Sequence, residues 1–105
     1  MLLPPKTCGD FLIVTEGRRL TVRSAKTGEV RGKTSYEKPP VVACVDADRV
    51  VVGERRLRMA SIPSLKLLWV KPISGSSVSE VVATSGLVAY RVTDRPGVVL
   101  LPLAE

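Results

Sequence analysis

Histidine, asparagine and glutamine are all missing from this 105-residue chain. Without histidine the chain has lost the commonest general base and the commonest transition-metal ligand. Cys8 and Cys44 alone do not make up a zinc ligand set. No serine or cysteine stands beside a recognisable base, so nucleophilic catalysis has no constellation to run on. An enzyme, a metal centre and a bound cofactor are therefore not expected. Aromatic residues are scarce too. Phe11, Tyr36, Trp69 and Tyr90 make up the whole set, too few and too scattered for a base-stacking platform. No apolar run nears the roughly 18 residues that mark a membrane-spanning helix. Met1–Leu3 runs straight into Pro4, Pro5 and Lys6, which leaves no signal-peptide core. A cytoplasmic protein without membrane contact is the expectation. Depletion of thermolabile amides beside abundant arginine gives the composition a thermophile-like cast.

What is present is self-similarity. Gly17–Val30 reads GRRLTVRSAKTGEV, and Glu54–Leu67 reads ERRLRMASIPSLKL at an offset of 37 residues. Each copy follows a β-branched run, FLIVT from Phe11 and RVVVG from Arg49. A looser third copy follows, with LVAYRVT from Leu87 and PGVVLLPL from Pro96. A fixed period of this size marks a repeat architecture. The 45% hydrophobic content argues against disorder, and a chain of this length forms one domain with a modest core.

The pattern is strand, turn, strand throughout, with no segment of helical period. The first repeat is predicted to hold strands at Lys6–Cys8, Phe11–Thr15, Leu20–Ser24 and Glu29–Thr34. The second holds Val41–Val45, Arg49–Gly53, Arg56–Ser61 and Lys66–Pro72. The third holds Val78–Thr84, Leu87–Val92 and Val98–Leu103. Gly9-Asp10, Asp46-Ala47-Asp48 and Ser85-Gly86 turn the chain between first and second strands. Lys26-Thr27-Gly28 and Pro63-Ser64 turn it between third and fourth strands. The expected organisation is a single all-β domain over 1–105, with four-stranded antiparallel repeats at about 4–38, 39–75 and 76–105. Met1–Leu3 is a candidate closing strand for the last repeat, which lacks a fourth.

The stretch LTVRSAKTGEV, from Leu20 to Val30, resembles the hairpin between the third and fourth strands of β-propeller blades in quinoprotein-like and WD-repeat proteins. Ser24, Ala25, Thr27 and Gly28 match the turn, and Trp69 stands at the outer-strand position of the second repeat. There is no WD dipeptide and no calcium or quinone motif, so the resemblance carries over no cofactor residues. It implies about three blades per chain. Propellers typically close with four to eight, so a homodimer forming a six-bladed ring is expected, each N-terminal strand completing a blade. The alternative is a monomeric β-sandwich or small barrel, which also gives short strands at regular spacing.

Chemistry concentrates in charge. Sixteen basic against ten acidic residues give a net charge of +6 and a pI near 9.8. The turns between second and third strands each bear an acid–base combination: Glu16 with Arg18, Glu54 with Arg55, Asp94 with Arg95. In a propeller these turns share one face, a docking surface for a protein or polyanion; otherwise they are solvated hairpin tips. Arg18, Arg19 and Arg23 cluster with Lys26 in the first repeat, and Arg55, Arg56 and Arg58 cluster in the second. Alternation sets Arg19 and Arg23 on the face opposite Leu20 and Val22, a basic stripe able to meet phosphates non-specifically. The expected activity is thus that of a non-enzymatic interaction module for a protein or polyanion. A basic, nucleic-acid-associated protein is the alternative. Ser74-Gly75-Ser76-Ser77 near Lys71 lacks the Gly-Lys-Ser/Thr ending and the following helix of a phosphate loop. Asp46 and Asp48 are read as turn-forming. Cys8 and Cys44 occupy near-equivalent places in their repeats and are either two small buried residues or a disulfide.

Overall fold

The computed structural model describes residues 5–73 and 75–103. They form eleven strands: β1 Lys6–Cys8, β2 Phe11–Glu16, β3 Arg19–Ser24, β4 Val30–Ser35, β5 Val41–Asp46, β6 Arg49–Gly53, β7 Leu57–Ser61, β8 Lys66–Lys71, β9 Val78–Ala83, β10 Leu87–Val92 and β11 Val99–Pro102. Each falls within two residues of its sequence expectation. The strands make three antiparallel meanders, β1-β2-β3-β4, β5-β6-β7-β8 and β9-β10-β11. Met1–Leu3, the expected closing strand, lies outside the described residues. Among the described residues no helix is long and apolar enough to cross a membrane.

The turns explain why the strands stop. Gly9 and Gly28 both hold positive φ, in the left-handed region where a side chain is strained. At the second of these turns, Ser24 Oγ accepts the backbone N–H groups of Lys26 and Thr27 at 3.2 and 3.3 Å. Thr27 Oγ1 accepts that of Glu29 at 3.2 Å. Short polar side chains thus satisfy backbone donors that the ladder cannot reach.

The three sheets stack face to face, with the second in the middle. Cys8, Ile13, Leu20 and Val22 of the first sheet pack on Val42, Val50, Val52 and Ala60 of the second. Ala43, Val45, Val51, Leu57 and Met59, on the other face of the second sheet, pack on Val78, Val81, Val88, Tyr90 and Val92 of the third. This explains the unbroken run Val50-Val51-Val52, all fully buried. A strand wetted on one face alternates, whereas one covered on both faces has no reason to. Glycines allow the close approach. A β-carbon on Gly32 would overlap the Pro63 carbonyl oxygen of the neighbouring sheet, and one on Gly53 would sit 2.7 Å from a Val78 methyl. Three open sheets in a stack are neither a two-sheet sandwich nor a closed barrel. The alternative topology expected from strand spacing is thereby corrected: the two apolar interfaces are each built from consecutive repeats, with one sheet shared between them.

Cys8 and Cys44 are joined, with Cα atoms 5.7 Å apart, bridging β1 to β5 across the first interface. Of the two readings left open by the sequence, the disulfide is the one the structure adopts. The Asp46 carbonyl oxygen lies 3.0 Å from the Cys8 sulfur and 3.1 Å from the Cys44 sulfur. A reduced thiol at either position would find an acceptor there.

Candidate functional site

Antiparallel alternation puts the β2–β3, β6–β7 and β10–β11 turns at the same end of their sheets as the inter-sheet connections. Backbone bonds tie these pieces together. The Val78 N–H donates to the Glu54 carbonyl at 2.6 Å, and the Thr93 N–H donates to the Ser77 carbonyl at 3.0 Å. Arginines collect at this end. Arg18, Arg19 and Arg58 line an open cleft of about 660 Å³ with Ser35, Tyr36 and Glu37. Arg58 and Glu37 also border a smaller cleft of about 270 Å³, shared with Glu54, Arg55 and Arg56. The surface is continuous across the seam between the first and second sheets.

Its anchor is Glu54, which is 1% exposed. Arg58 donates a short hydrogen bond to Glu54 Oε1, and the Arg58 guanidinium lies over the Tyr36 ring, 5.3 Å from its centroid. Burial alone pushes the Glu54 carboxyl up. The Arg58 hydrogen bond and charge, with the Arg55 and Arg56 backbone N–H groups, outweigh it and hold the carboxyl below its ordinary value. Burial pushes the Tyr36 hydroxyl up, the Arg58 charge opposes this, and the Glu54 charge adds to it; the net shift is upward. Arg55 pairs with Glu37 at 2.6 Å, on the exposed rim. Arg18, Arg19 and Arg56 have no carboxylate partner among the described residues. Five guanidinia thus face two carboxylates across the two clefts. The excess positive charge, beside one ordered guanidinium–ring stack, can take multiply charged anions as charge-assisted hydrogen-bond acceptors.

The sequence-predicted residues divide accordingly. Arg18, Arg19, Glu54, Arg55, Arg56 and Arg58 come together. The acid–base combinations do not pair as neighbours in sequence: Glu54 takes Arg58, four residues on in β7, and the Arg55 guanidinium goes to Glu37 instead. Glu16 stands opposite Arg19 across the β2–β3 ladder. Arg23 faces the same side of its sheet as Arg19 but lies at the far end, where its guanidinium donates to the Gly28 carbonyl at 2.7 Å. Leu20 and Val22 are fully buried on the opposite face, as alternation requires. Asp94 accepts the Ser76 N–H at 3.1 Å, and Arg95 is exposed beside it. That carboxylate, with a 2.7 Å contact between the Ser76 and Thr93 hydroxyls, ties the serine-rich connection to the β10–β11 turn. Ser74 itself lies outside the described residues. Asp46 is an ion-pairing turn residue: Arg49 donates to Oδ2 from Nε at 2.9 Å and from Nη2 at 2.6 Å. The Asp48 N–H donates to Oδ1 at 2.9 Å, and the Arg49 and Asp48 bonds hold the Asp46 carboxyl below its usual range.

The sequence singles out neither Tyr36 nor Glu37 as a site residue. They lie in the connection between repeats, outside the repeated pattern, and meet Arg55 and Arg58 only through stacking of the sheets. An unmatched aromatic in a polar loop is the one signal that points there. Elsewhere, Trp69 packs at the margin of the second interface with Lys71 over its ring at 5.3 Å. Among the described residues no cluster of three or more His, Cys, Asp or Glu could hold a metal. The sequence matches no protein-family model, and no curated protein is similar to it.

Proposed function

We propose that this chain is a non-enzymatic interaction module built of propeller-type blades, and that its arginine-rich end docks a polyanionic partner, an acidic protein surface above all. One observation carries this: three guanidinia without carboxylate partners among the described residues, Arg18, Arg19 and Arg56, line adjoining clefts that also hold Arg58, paired with the buried Glu54 and lying over the Tyr36 ring. An acidic protein is preferred over nucleic acid because Tyr36 is the one aromatic lining the clefts and Arg58 already lies over its ring, whereas strand recognition uses a row of stacking faces. Three meanders stacked in chain order support the propeller reading, and a second copy would bring the ring to six blades, within the usual range.

The test is anisotropy of a fluorescent poly-glutamate peptide, titrated with protein at several salt concentrations. Binding should weaken with salt, and the triple change Arg18→Ala, Arg19→Ala, Arg56→Ala should lower affinity by about tenfold or more, as loss of several charge-assisted contacts demands. Arg23→Ala, at the far end, should leave binding unchanged. Equal losses for the Arg23 variant would refute a localised site. Tighter binding of a duplex oligonucleotide than of the peptide, with a steep salt slope, would favour the nucleic-acid reading.

A further inference from the structure

The cross-strand registers put equivalent residues in rows, and each row has a defined place in the stack. In the first sheet, Lys6, Ile13 and Val22 form a row facing the second sheet. The equivalent row of the second sheet, Ala43, Val51 and Met59, faces the third. The equivalent row of the third sheet is Val82, Ala89 and Leu100. Among the described residues no sheet covers it: Val82 and Leu100 are 60% and 62% exposed. The opposite faces follow the same rule. Val50 of the second sheet and Val88 of the third occupy matched positions and are fully buried against the preceding sheet. Their counterpart in the first sheet, Leu12, is aligned with Thr7 and Arg23 and has no preceding sheet among the described residues. Beside it Val14 and Thr21 form a second row with Lys33.

We infer that the Val82–Ala89–Leu100 face of one copy packs on the Leu12 and Val14 face of a second copy. This rests on the two-copy ring proposed above and names the surfaces that close it. The unpartnered face is continuous in pattern with two interfaces the chain already makes, so the occupant that fits it is another first sheet of the same sequence. The contact is heterologous, and a two-fold axis repeats it, leaving no apolar end face and no further site for growth. An isologous pairing of two third sheets would instead leave Leu12 and Val14 uncovered.

Complementary variants separate these arrangements. Val82→Lys would set a cation against Arg23 and Lys33 of the second copy, and Leu12→Glu would set a carboxylate against the apolar Val82 and Leu100, beside the Arg91–Glu80 pair. Solution mass is measured by light scattering behind a sizing column, with circular dichroism confirming retained strand content. Wild-type protein should run at twice 11.3 kDa. Each variant alone should show a dimer dissociation constant raised about tenfold or more, because a charge takes the place of an apolar side chain within the contact. The equimolar mixture should regain the two-chain mass, since one interface becomes a Lys–Glu contact and the other is wild type. A dimeric Leu12→Glu protein, or a mixture that stays monomeric, overturns the face assignment while leaving the two-copy ring standing. A monomeric wild type overturns both. Should Leu12→Glu fail to fold, Lys33→Glu, on the same face and exposed, takes its place, paired with Leu100→Lys.

Discussion

Breaking the Cys8–Cys44 bond should cost this protein a large part of its stability without changing its fold. The bond closes a loop with a sequence separation of 36. Chain-entropy reasoning assigns such a loop on the order of 13 cal/mol/K in the unfolded ensemble, or about 4 kcal/mol at 25 °C. For a domain near this size the loss corresponds to a fall in Tm of roughly 15 °C or more. The Asp46 carbonyl oxygen lies 3.0 and 3.1 Å from the two bonded sulfurs, so a thiol formed there by reduction would have an acceptor at hand. The assay is a thermal melt of one protein stock with and without reductant, at fixed concentration so that any association is held constant. Cys44→Ala, the less buried of the two positions, should reproduce the reduced curve. Near-native circular dichroism before the transition should be shared by all three samples. A fall below about 5 °C would refute the entropic reasoning, since it would mean that the unfolded chain is already confined around this loop. Two titratable thiols in the denatured, unreduced protein would refute the bond itself.

Two further outcomes probe the stack and its charged end. Gly32→Ala should destabilise by about 2 kcal/mol, as overpacking does. The added methyl meets the Pro63 carbonyl rather than a movable side chain, so there is little room to relax. Chemical denaturation measures it, and an unchanged midpoint would show that the first interface is looser than described. Glu54 has its folded pKa lowered below the ordinary 4.5, so the stability it contributes is full above that value and is lost as pH falls through the folded pKa. Acid unfolding should therefore be steeper below about pH 4.5 in wild type than in Glu54→Gln. That variant should also lose about 2 kcal/mol at neutral pH, less than breaking a wholly buried pair costs. The reason is that Arg58 is one-quarter exposed and keeps some access to water. Identical acid profiles would remove Glu54 from the acid response.

The strands were legible because two signals agreed at almost every position: β-branched residues built the runs, and Gly, Asp, Ser or Pro ended them. Alternation also placed Leu20 and Val22 inward and Arg19 and Arg23 outward. It was silent at Val50-Val51-Val52, where both faces are buried and no period remains to be read. The site was legible only in part. Arginines repeated at matching places signalled a charged end, but their partners depended on reach across strands. Arg58, on β7, reaches back to Glu54 at the turn and lies over Tyr36 of the preceding repeat, and Arg55 crosses to Glu37 in that same repeat. Such pairings depend on how one sheet settles on the next, and local spacing carries no record of that.

The doubly covered β6 gives the molecule a gradient of protection. Within a single copy, opening the first or third sheet exposes one apolar interface, whereas freeing β6 on both faces requires both neighbours to leave. Amide protons of Val50, Val51 and Val52 are therefore released only by near-global unfolding, while the outer ladders of β4 and β11 exchange through smaller fluctuations. The order of loss runs from the ends of the stack toward its centre. A ligand or partner seated on either end would slow exchange there first and leave the centre nearly untouched.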